Sequence, residues 1–379
     1  MTAPDRLNVP GLYIHIPFCF SKCEYCGFHS VTDQSKIPTF IECLLKEMSL
    51  YKDYFDVFDT VYIGGGTPSI LNRKQLGMIL DGVYKNFSIP AFSEITCEVN
   101  PGDLSLNFLR SLRAMGVNRL NIGVQSFDDK LLSFLGRRHS ASESIAALEN
   151  SRKAGFKNIG IDLIYGIPEQ NIKHWLKDLQ KMLSFETEHV SCYELTLEPG
   201  TPLDYSYRNG NLSMHKEDAL YKFFTETSKF METSGYIHYE VSNFARRTKL
   251  QSRHNQKYWN HTPYLGIGPS AHSFLHNRRW WNHYLDNYLR LLKEGSSTVC
   301  DAETLSLKQL RDEALYLGLR TRKGINLKDF SFRFNYDLLK EKKVPLDIFL
   351  KKGLLEIKDD CLLTTLRGLA IADSLYQEL

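Results

Sequence analysis

Over the first two thirds of the chain, short apolar runs alternate with stretches whose apolar residues recur at helical spacing. The runs read as strands: GLYIHI from Gly11, TVYIGGG ending in Gly64 to Gly66, SEITCEV with Glu98 near its end, RLNIGVQ, NIGIDLIYG and HVSCYEL. Helical stretches lie between them at 38–54, 72–86, 104–115, 142–154 and 171–184, and another at 215–234 follows the sixth strand. Gly116 and Gly155 stand where two of these helices should stop. Six successive βα units with short connections predict a parallel sheet with right-handed crossovers. A closed barrel usually takes about eight such units, so six predict a partial, open barrel. Chemistry in such a fold belongs at the carboxyl ends of the strands.

The pattern then changes. Residues 243–283 are rich in aromatics, His, Arg and Asn, with few long apolar runs. An amphipathic helix is expected over 305–320 and a short one over 326–334, and the terminal GLLEIKDDCLLTTLRGLAIADSLYQEL reads as strand, turn, strand, helix. The expected architecture is α/β: a partial (β/α)6 barrel over 1–240, an extension over 241–300, and a mostly helical, winged-helix-like module over 301–379. Winged helices often bind DNA, but this one shows no dense basic stripe, which favours a packing or docking module.

Composition narrows the classes. Of 379 residues, 42% are hydrophobic and 24% charged, an ordinary globular balance that excludes disordered, collagen-like and coiled-coil chains. A net charge of +3 gives no electrostatic reason to expect nucleic acid as a partner. No long uncharged apolar run predicts a membrane span, and the opening MTAPDRLNVPG lacks the apolar core of a secretory signal. A cytoplasmic protein is expected, with peripheral association to a membrane surface left open.

Eight cysteines are too sparse for a disulfide scaffold. Five are scattered and read as small buried hydrophobes, but Cys19, Cys23 and Cys26 fall within eight residues. Three thiolates at Cx3Cx2C spacing in a loop after a strand suit one cubane iron–sulfur cluster, leaving its fourth iron open for a ligand. The alternative is a zinc site completed by His15 or His29. The spacing lacks the two close pairs of a zinc ribbon, so the cluster is preferred.

This segment, set in a six-unit βα chain, resembles the radical S-adenosylmethionine (SAM) superfamily. The resemblance implies a reducing 4Fe–4S cluster held by Cys19, Cys23 and Cys26. Its open iron would chelate the amino and carboxylate groups of SAM, and electron transfer would release a 5′-deoxyadenosyl radical. The segment Gly64-Gly65-Gly66-Thr67-Pro68 alone is a tight turn, and it lacks the Lys-Ser/Thr ending of a phosphate loop. Polar residues also gather near later strand ends: Glu98, Gln125, Arg137 and Asp162. Singly these are salt bridges or caps; together they resemble one binding mouth.

YIHIPFC, GGGTP, EVNP, GVQSF and IDLIYGIP together look like the coproporphyrinogen dehydrogenase (HemN) branch over most of residues 11–275. By that likeness Tyr13, Gly65, Gly66, Thr67, Glu98, Gln125, Arg137 and Asp162 correspond to SAM-contacting positions, with Thr196 a looser match. Tyr25 is placed to pack on the adenine.

Two functions compete within the branch: oxygen-independent coproporphyrinogen III oxidase, and the HemW heme chaperone, which binds heme and delivers it to recipient proteins. Three features favour HemW. Phe28 stands where the oxidase has a fourth cysteine, only twelve residues precede Tyr13 where the oxidase carries a longer arm, and Arg253-His254-Asn255-Gln-Lys-Tyr258-Trp259 contains the HNxxYW pattern associated with heme in the HemW group. His254 is then the expected heme contact, with His261, His272 and Cys192 as alternatives. The plainer reading is that this cluster caps the barrel end with His254 hydrogen-bonded. Heme, recipient proteins and an electron donor of the flavodoxin or ferredoxin kind are the implied partners. No catalytic residue is assigned. The GxGxxA match from Gly266 to Ala271 follows the βα units and reads as a packing loop, not a dinucleotide fingerprint.

Overall fold

A computed structural model of the protein describes residues 9–379. The part of the N-terminal segment before residue 9, used above to argue against a secretory signal, lies outside the described residues. The six expected strands are all present: β1 (Gly11–Ile16), β2 (Thr60–Gly65), β3 (Glu94–Val99), β4 (Arg119–Gln125), β5 (Ile159–Tyr165) and β6 (His189–Glu194). Their helices are α1 (Ile37–Tyr51), α2 (Arg73–Asn86), α3 (Leu106–Ala114), α4 (Asp129–Phe134) with α5 (Ala141–Lys153), α6 (Ile172–Leu183), and α7 (Pro202–Arg208) with α8 (Glu217–Thr233). Local chemistry sets several starts. Asn72 with Gln75 and Ser140 with Glu143 form reciprocal capping boxes at α2 and α5.

The strands β1 to β6 pair in parallel and in sequence order. Alternate residues divide cleanly between two environments. Leu12, Ile14, Val61, Ile63, Leu120, Ile122, Ile161 and Leu163 face outward into one apolar core beneath the helices. Tyr13, Thr60, Tyr62, Glu98, Asn121 and Asp162 take the other face, which is the barrel interior. Cys192 belongs to the outward, apolar set, where burial raises its thiol pKa. It is therefore not placed to reach a ligand inside the barrel.

Strands from the aromatic-rich region join the same sheet. These are β7 (Ile237–His238), β8 (Asn243–Ala245), β9 (Tyr264–Ile267), β10 (His272–Leu275), β11 (Arg278–Asn282) and β12 (Val299–Thr304), with α9 (Arg253–Trp259) and α10 (Leu285–Lys293) between them. The full order is β12-β11-β10-β9-β1-β2-β3-β4-β5-β6-β8-β7. The boundary expected near residue 300 falls inside β12. In the GxGxxA stretch, β9 leads into the antiparallel β10 rather than a helix. Gly268 there has φ +102, and a Cβ would lie 2.6 Å from the His15 carbonyl oxygen. Its close approach is to protein backbone, as a packing loop requires.

The C-terminal module has its own apolar core. It comprises α11 (Leu307–Leu319), β13 (Ile325–Asn326), α12 (Leu327–Phe334), α13 (Leu338–Glu341), α14 (Lys343–Lys351), β14 (Leu355–Lys358), β15 (Cys361–Thr364), α15 (Leu366–Leu369) and α16 (Ala372–Glu378). The helices carry a three-stranded sheet in the order β13-β15-β14. Asp359 and Asp360, with φ of 49° and 59°, make the two-residue turn between Lys358 and Cys361.

One buried carboxylate joins the extension to the barrel. Glu47 of α1 accepts from Gly268 N–H (2.8 Å), Asn282 Nδ2 (2.6 Å), Tyr288 Oη (2.6 Å) and Thr298 Oγ1 (3.2 Å). Burial pushes its pKa up to about 7 in spite of these donors. Glu47→Ala strands four buried donors, and we expect it to cost about 3 kcal/mol, read from the urea midpoint. A pKa raised on folding stabilises at low pH and loses that contribution as pH rises through the folded value. The wild type should therefore lose stability relative to Glu47→Gln between about pH 5 and pH 8, and a parallel pair of pH profiles would contradict this assignment.

Candidate functional site

The carboxyl ends of β1 to β4 and the loops after them build one mouth. The thiol loop leaves β1 at Ile16 and is pinned at several points. Cys19 N–H donates to the Val31 carbonyl (3.0 Å), Gly66 N–H to Ile16 (2.8 Å) and Thr67 N–H to Phe18 (2.8 Å). A Cβ on Gly66 would lie 2.7 Å from the Phe18 carbonyl oxygen, and Gly65 has φ +108 with His15 Nδ1 2.6 Å from where its Cβ would be. The glycines thus let the β2 end lie flush against β1 and the loop.

Cys19, Cys23 and Cys26 are free and partly accessible. Thr67 Oγ1 donates to Cys19 Sγ (3.4 Å), and Arg137 Nη1 donates to Cys23 Sγ (3.3 Å). Burial raises the Cys26 thiol pKa. Arg137 is held by Asn100 Oδ1 (2.8 Å) and the Gly123 carbonyl (3.0 Å), and its buried Nε has no protein partner. Asn100 is itself fixed by His139 Nδ1 (3.2 Å) and by its own N–H on Ser69 Oγ (3.0 Å). Asn100 and His139 were not singled out from sequence. The signal was available for Asn100, which sits in the quoted EVNP motif.

Glu98 points into the interior and accepts from Tyr62 Oη (2.7 Å) and Gly65 N–H (3.2 Å). Burial pushes its pKa up to about 7. Asp162 accepts from Asn121 Nδ2 (2.6 Å), leaves its buried Oδ1 without a protein partner, and is raised in pKa by burial. Gln125 closes β4 at a bulge with φ 66. Tyr25 packs against the apolar cluster of Leu135, Ile164 and Leu203. Burial raises its phenol pKa while the Arg137 charge beside it works the other way. Thr196 is exposed and donates to Glu198 Oε1 (3.3 Å). Phe28 is 70% exposed.

Of the two candidate histidines, His15 is engaged at both ring nitrogens and His29 at one. His15 bonds Tyr13 Oη (3.0 Å) through Nδ1 and the His29 carbonyl (2.8 Å) through Nε2, and His29 Nε2 accepts from Leu285 N–H (3.2 Å). Among the described residues, no three His, Cys, Asp or Glu side chains gather closely enough to hold a single ion.

The structure does not bring His254 to this mouth. It lies at the opposite, amino-terminal end of the strands, where α9 covers the barrel floor. His254 Nδ1 meets Thr60 Oγ1 (2.9 Å) and Nε2 meets Tyr258 Oη (2.9 Å). Burial lowers its pKa to about 3. The α9 amide groups of Arg253 and His254 donate to the Glu94 carboxylate (3.3 and 3.2 Å), while Arg253 and Lys257 both pair with Asp59 at 2.6 Å. The geometry matches the capping reading of this motif: His254 is built into the floor, with both ring nitrogens engaged. His272 lies on β10, stacked against Trp281, and His261 is tied to Glu313 Oε2 (2.9 Å).

Comparison with known proteins fits this architecture. Residues 13–182 match the Radical SAM superfamily, and residues 305–371 match the HemN C-terminal domain. The chain is 32% identical over 373 residues to the heme chaperone HemW of Bacillus subtilis, covering 96% of this chain and 97% of that protein. It is 34% identical to the mitochondrial radical S-adenosyl methionine domain-containing protein 1 of Mus musculus, covering 96% and 86%. Escherichia coli coproporphyrinogen III oxidase (HemN), described as a radical SAM enzyme, shares the fold with a TM-score of 0.85 at 23% identity, covering 98% and 90%. On these matches, the chain belongs to the HemW family of radical SAM proteins.

Proposed function

We propose that this chain is a heme chaperone of the HemW type, which carries a SAM-binding 4Fe–4S cluster in its barrel mouth and hands heme to recipient proteins. The observation that carries this reading is the match, over nearly the whole of both chains, to a protein named heme chaperone HemW.

The mouth supports the cofactor half of the reading. Cys19, Cys23 and Cys26 would ligate three irons and leave one open. When bound, the cluster supplies one-electron reduction of the SAM sulfonium. The protein's own part is electrostatic and positional. Arg137 and Thr67 donate to two of the thiol sulfurs and so fix where those sulfurs stand. Asn100 fixes the guanidinium. Tyr13, Gly65, Gly66, Thr67, Glu98, Gln125, Arg137 and Asp162 would receive SAM, with Tyr25 beside the adenine. Glu98 as a carboxylate suits the SAM ammonium group, and the buried Oδ1 of Asp162 suits a ribose hydroxyl. An electron donor of the flavodoxin or ferredoxin kind would approach the thiol loop. No helix among the described residues is long and apolar enough to cross a membrane. A cytoplasmic setting and peripheral membrane contact belong to the same proposal.

Anaerobic reconstitution tests the site: the wild type should hold about four irons per chain with cubane absorbance, and Cys23→Ala should lose it. Zinc retained by the three thiols in natively prepared, anaerobic protein would sink the reading. SAM affinity should weaken as pH falls below about 7, where Glu98 becomes protonated and neutral. Calorimetry on Glu98→Gln should show a flatter pH profile and weaker binding at high pH. Cluster-loaded protein given coproporphyrinogen III, SAM and reductant should yield no decarboxylated porphyrinogen; accumulation of that product would replace the chaperone with the oxidase.

A further inference from the structure

The HNxxYW helix has a second face. While His254 and Tyr258 of α9 turn into the barrel floor, Gln256 and Trp259 turn the other way, into a cleft of about 540 Å3 between the floor and the C-terminal module. That volume is of the size that takes a cofactor or drug-sized molecule. The far wall comes from the end of α11, the turn after it, and α12.

The charge in this cleft is uneven. Arg322, Lys323 and Arg333 line it against a single carboxylate, Asp329. Arg322 is half-buried, and neither its guanidinium nor the Lys323 ammonium has a hydrogen-bond or ion-pair partner among the described residues. Arg333 is exposed; its guanidinium meets His261 Nδ1 at 3.5 Å and lies over the Phe334 ring, 4.8 Å from the centroid, with no carboxylate partner among the described residues. Two guanidinium groups without carboxylate partners, facing one cavity, are an arrangement suited to bidentate recognition of carboxylates. Trp259 adds an aromatic face for a flat ring system.

The module is clamped so that the cleft has fixed walls. Glu313 of α11 bonds both His261 (2.9 Å) and Arg279 (2.7 Å), Val241 N–H donates to the Arg320 carbonyl (2.9 Å), and Arg322 N–H donates to the Tyr239 carbonyl (3.0 Å).

We propose that this cleft, rather than the His254 side of the motif, is where a planar porphyrin dicarboxylate docks, with its two propionates on Arg322 and Arg333 and its ring against Trp259. The proposal rests on the heme-chaperone reading above and assigns the place and the recognition chemistry. It makes no use of an iron ligand, so the metal-free macrocycle should bind as well.

The test titrates heme, protoporphyrin IX and heme dimethyl ester into the full-length protein, followed by Soret absorbance and tryptophan quenching. The wild type should bind heme and protoporphyrin IX. The dimethyl ester, which cannot form the ion pairs, should bind about tenfold more weakly or worse. The Arg322→Ala/Arg333→Ala double variant should show the same loss for heme, and Arg322→Lys/Arg333→Lys should recover part of it. Cluster loading and thermal unfolding check that the variants fold, and the ester result stands independently of any variant. Unchanged heme affinity in the folded double-alanine variant, or ester binding equal to heme, would overturn the cleft and leave the chaperone reading standing. A wild type that binds no heme at all would overturn the chaperone reading itself.

Discussion

A six-stranded parallel barrel cannot close, and that constraint organises the rest of the chain. Its two outer strands, β1 and β6, would each present a row of unpaired backbone donors and acceptors. The chain covers both: β9 pairs with β1 and carries β10 to β12 beyond it, while β8 pairs with β6 and carries β7. An open barrel also has an open floor, and here the inward-facing residues are polar. Thr60 and Glu94, the first residues of β2 and β3, need partners there. The α9 helix supplies them, with an imidazole for Thr60 and two backbone amides for Glu94. The aromatic-rich segment is therefore less an appendage than the part that completes the sheet.

The same covering strands reach the mouth. Glu47 ties α1 to the β9–β10 turn and to the segments around α10, and His29, three residues after Cys26, accepts the first amide of α10. Tyr284, at the start of α10, makes no side-chain cap of its own, so His29 serves that helix end from a distant part of the chain. The thiol loop is thus fixed from two sides, by the glycine-rich end of β2 and by the extension. A loop that must present three sulfurs to one cluster needs that rigidity, because each ligand's position depends on backbone held elsewhere.

Much of this was legible in the sequence, for identifiable reasons. The six βα units were readable because each strand places an unbroken apolar set on one face and each helix repeats at its own period. The turn at Asp359-Asp360 was readable from residue type. The strands β9 to β12 were not. They are four to six residues long, and β12, Val299–Thr304, is almost wholly exposed, so no apolar alternation marks it. Glu47 was overlooked although it left a trace: a carboxylate within the apolar stripe of Phe40, Leu44 and Met48. A charge in such a stripe is costly to bury without donors, which makes it a pointer to a polar partner from another element. At the mouth, Glu98 lies near the end of β3 and Arg137 in the segment after β4, while Asp162 faces the interior from the middle of β5. Asn100 and His139, which hold Arg137, act through tertiary contacts that spacing alone does not reveal.

His254 shows where a motif and its geometry part. The segment HNxxYW invites the reading that its histidine meets the heme, because histidine is the usual iron ligand of that set. In the fold, the i and i+4 residues His254 and Tyr258 bond each other across one turn and seal the floor, while Trp259 lies on the other side of the same short helix. A seven-residue helix that must both close a polar barrel and form a wall of the adjoining cleft has little freedom at either face. Substitution of His254 alone would disturb the floor and the cleft wall together. Loss of heme binding on changing His254 would therefore not identify it as a ligand, whereas changes at Arg322 and Arg333, which bear no such floor contacts, separate the two roles.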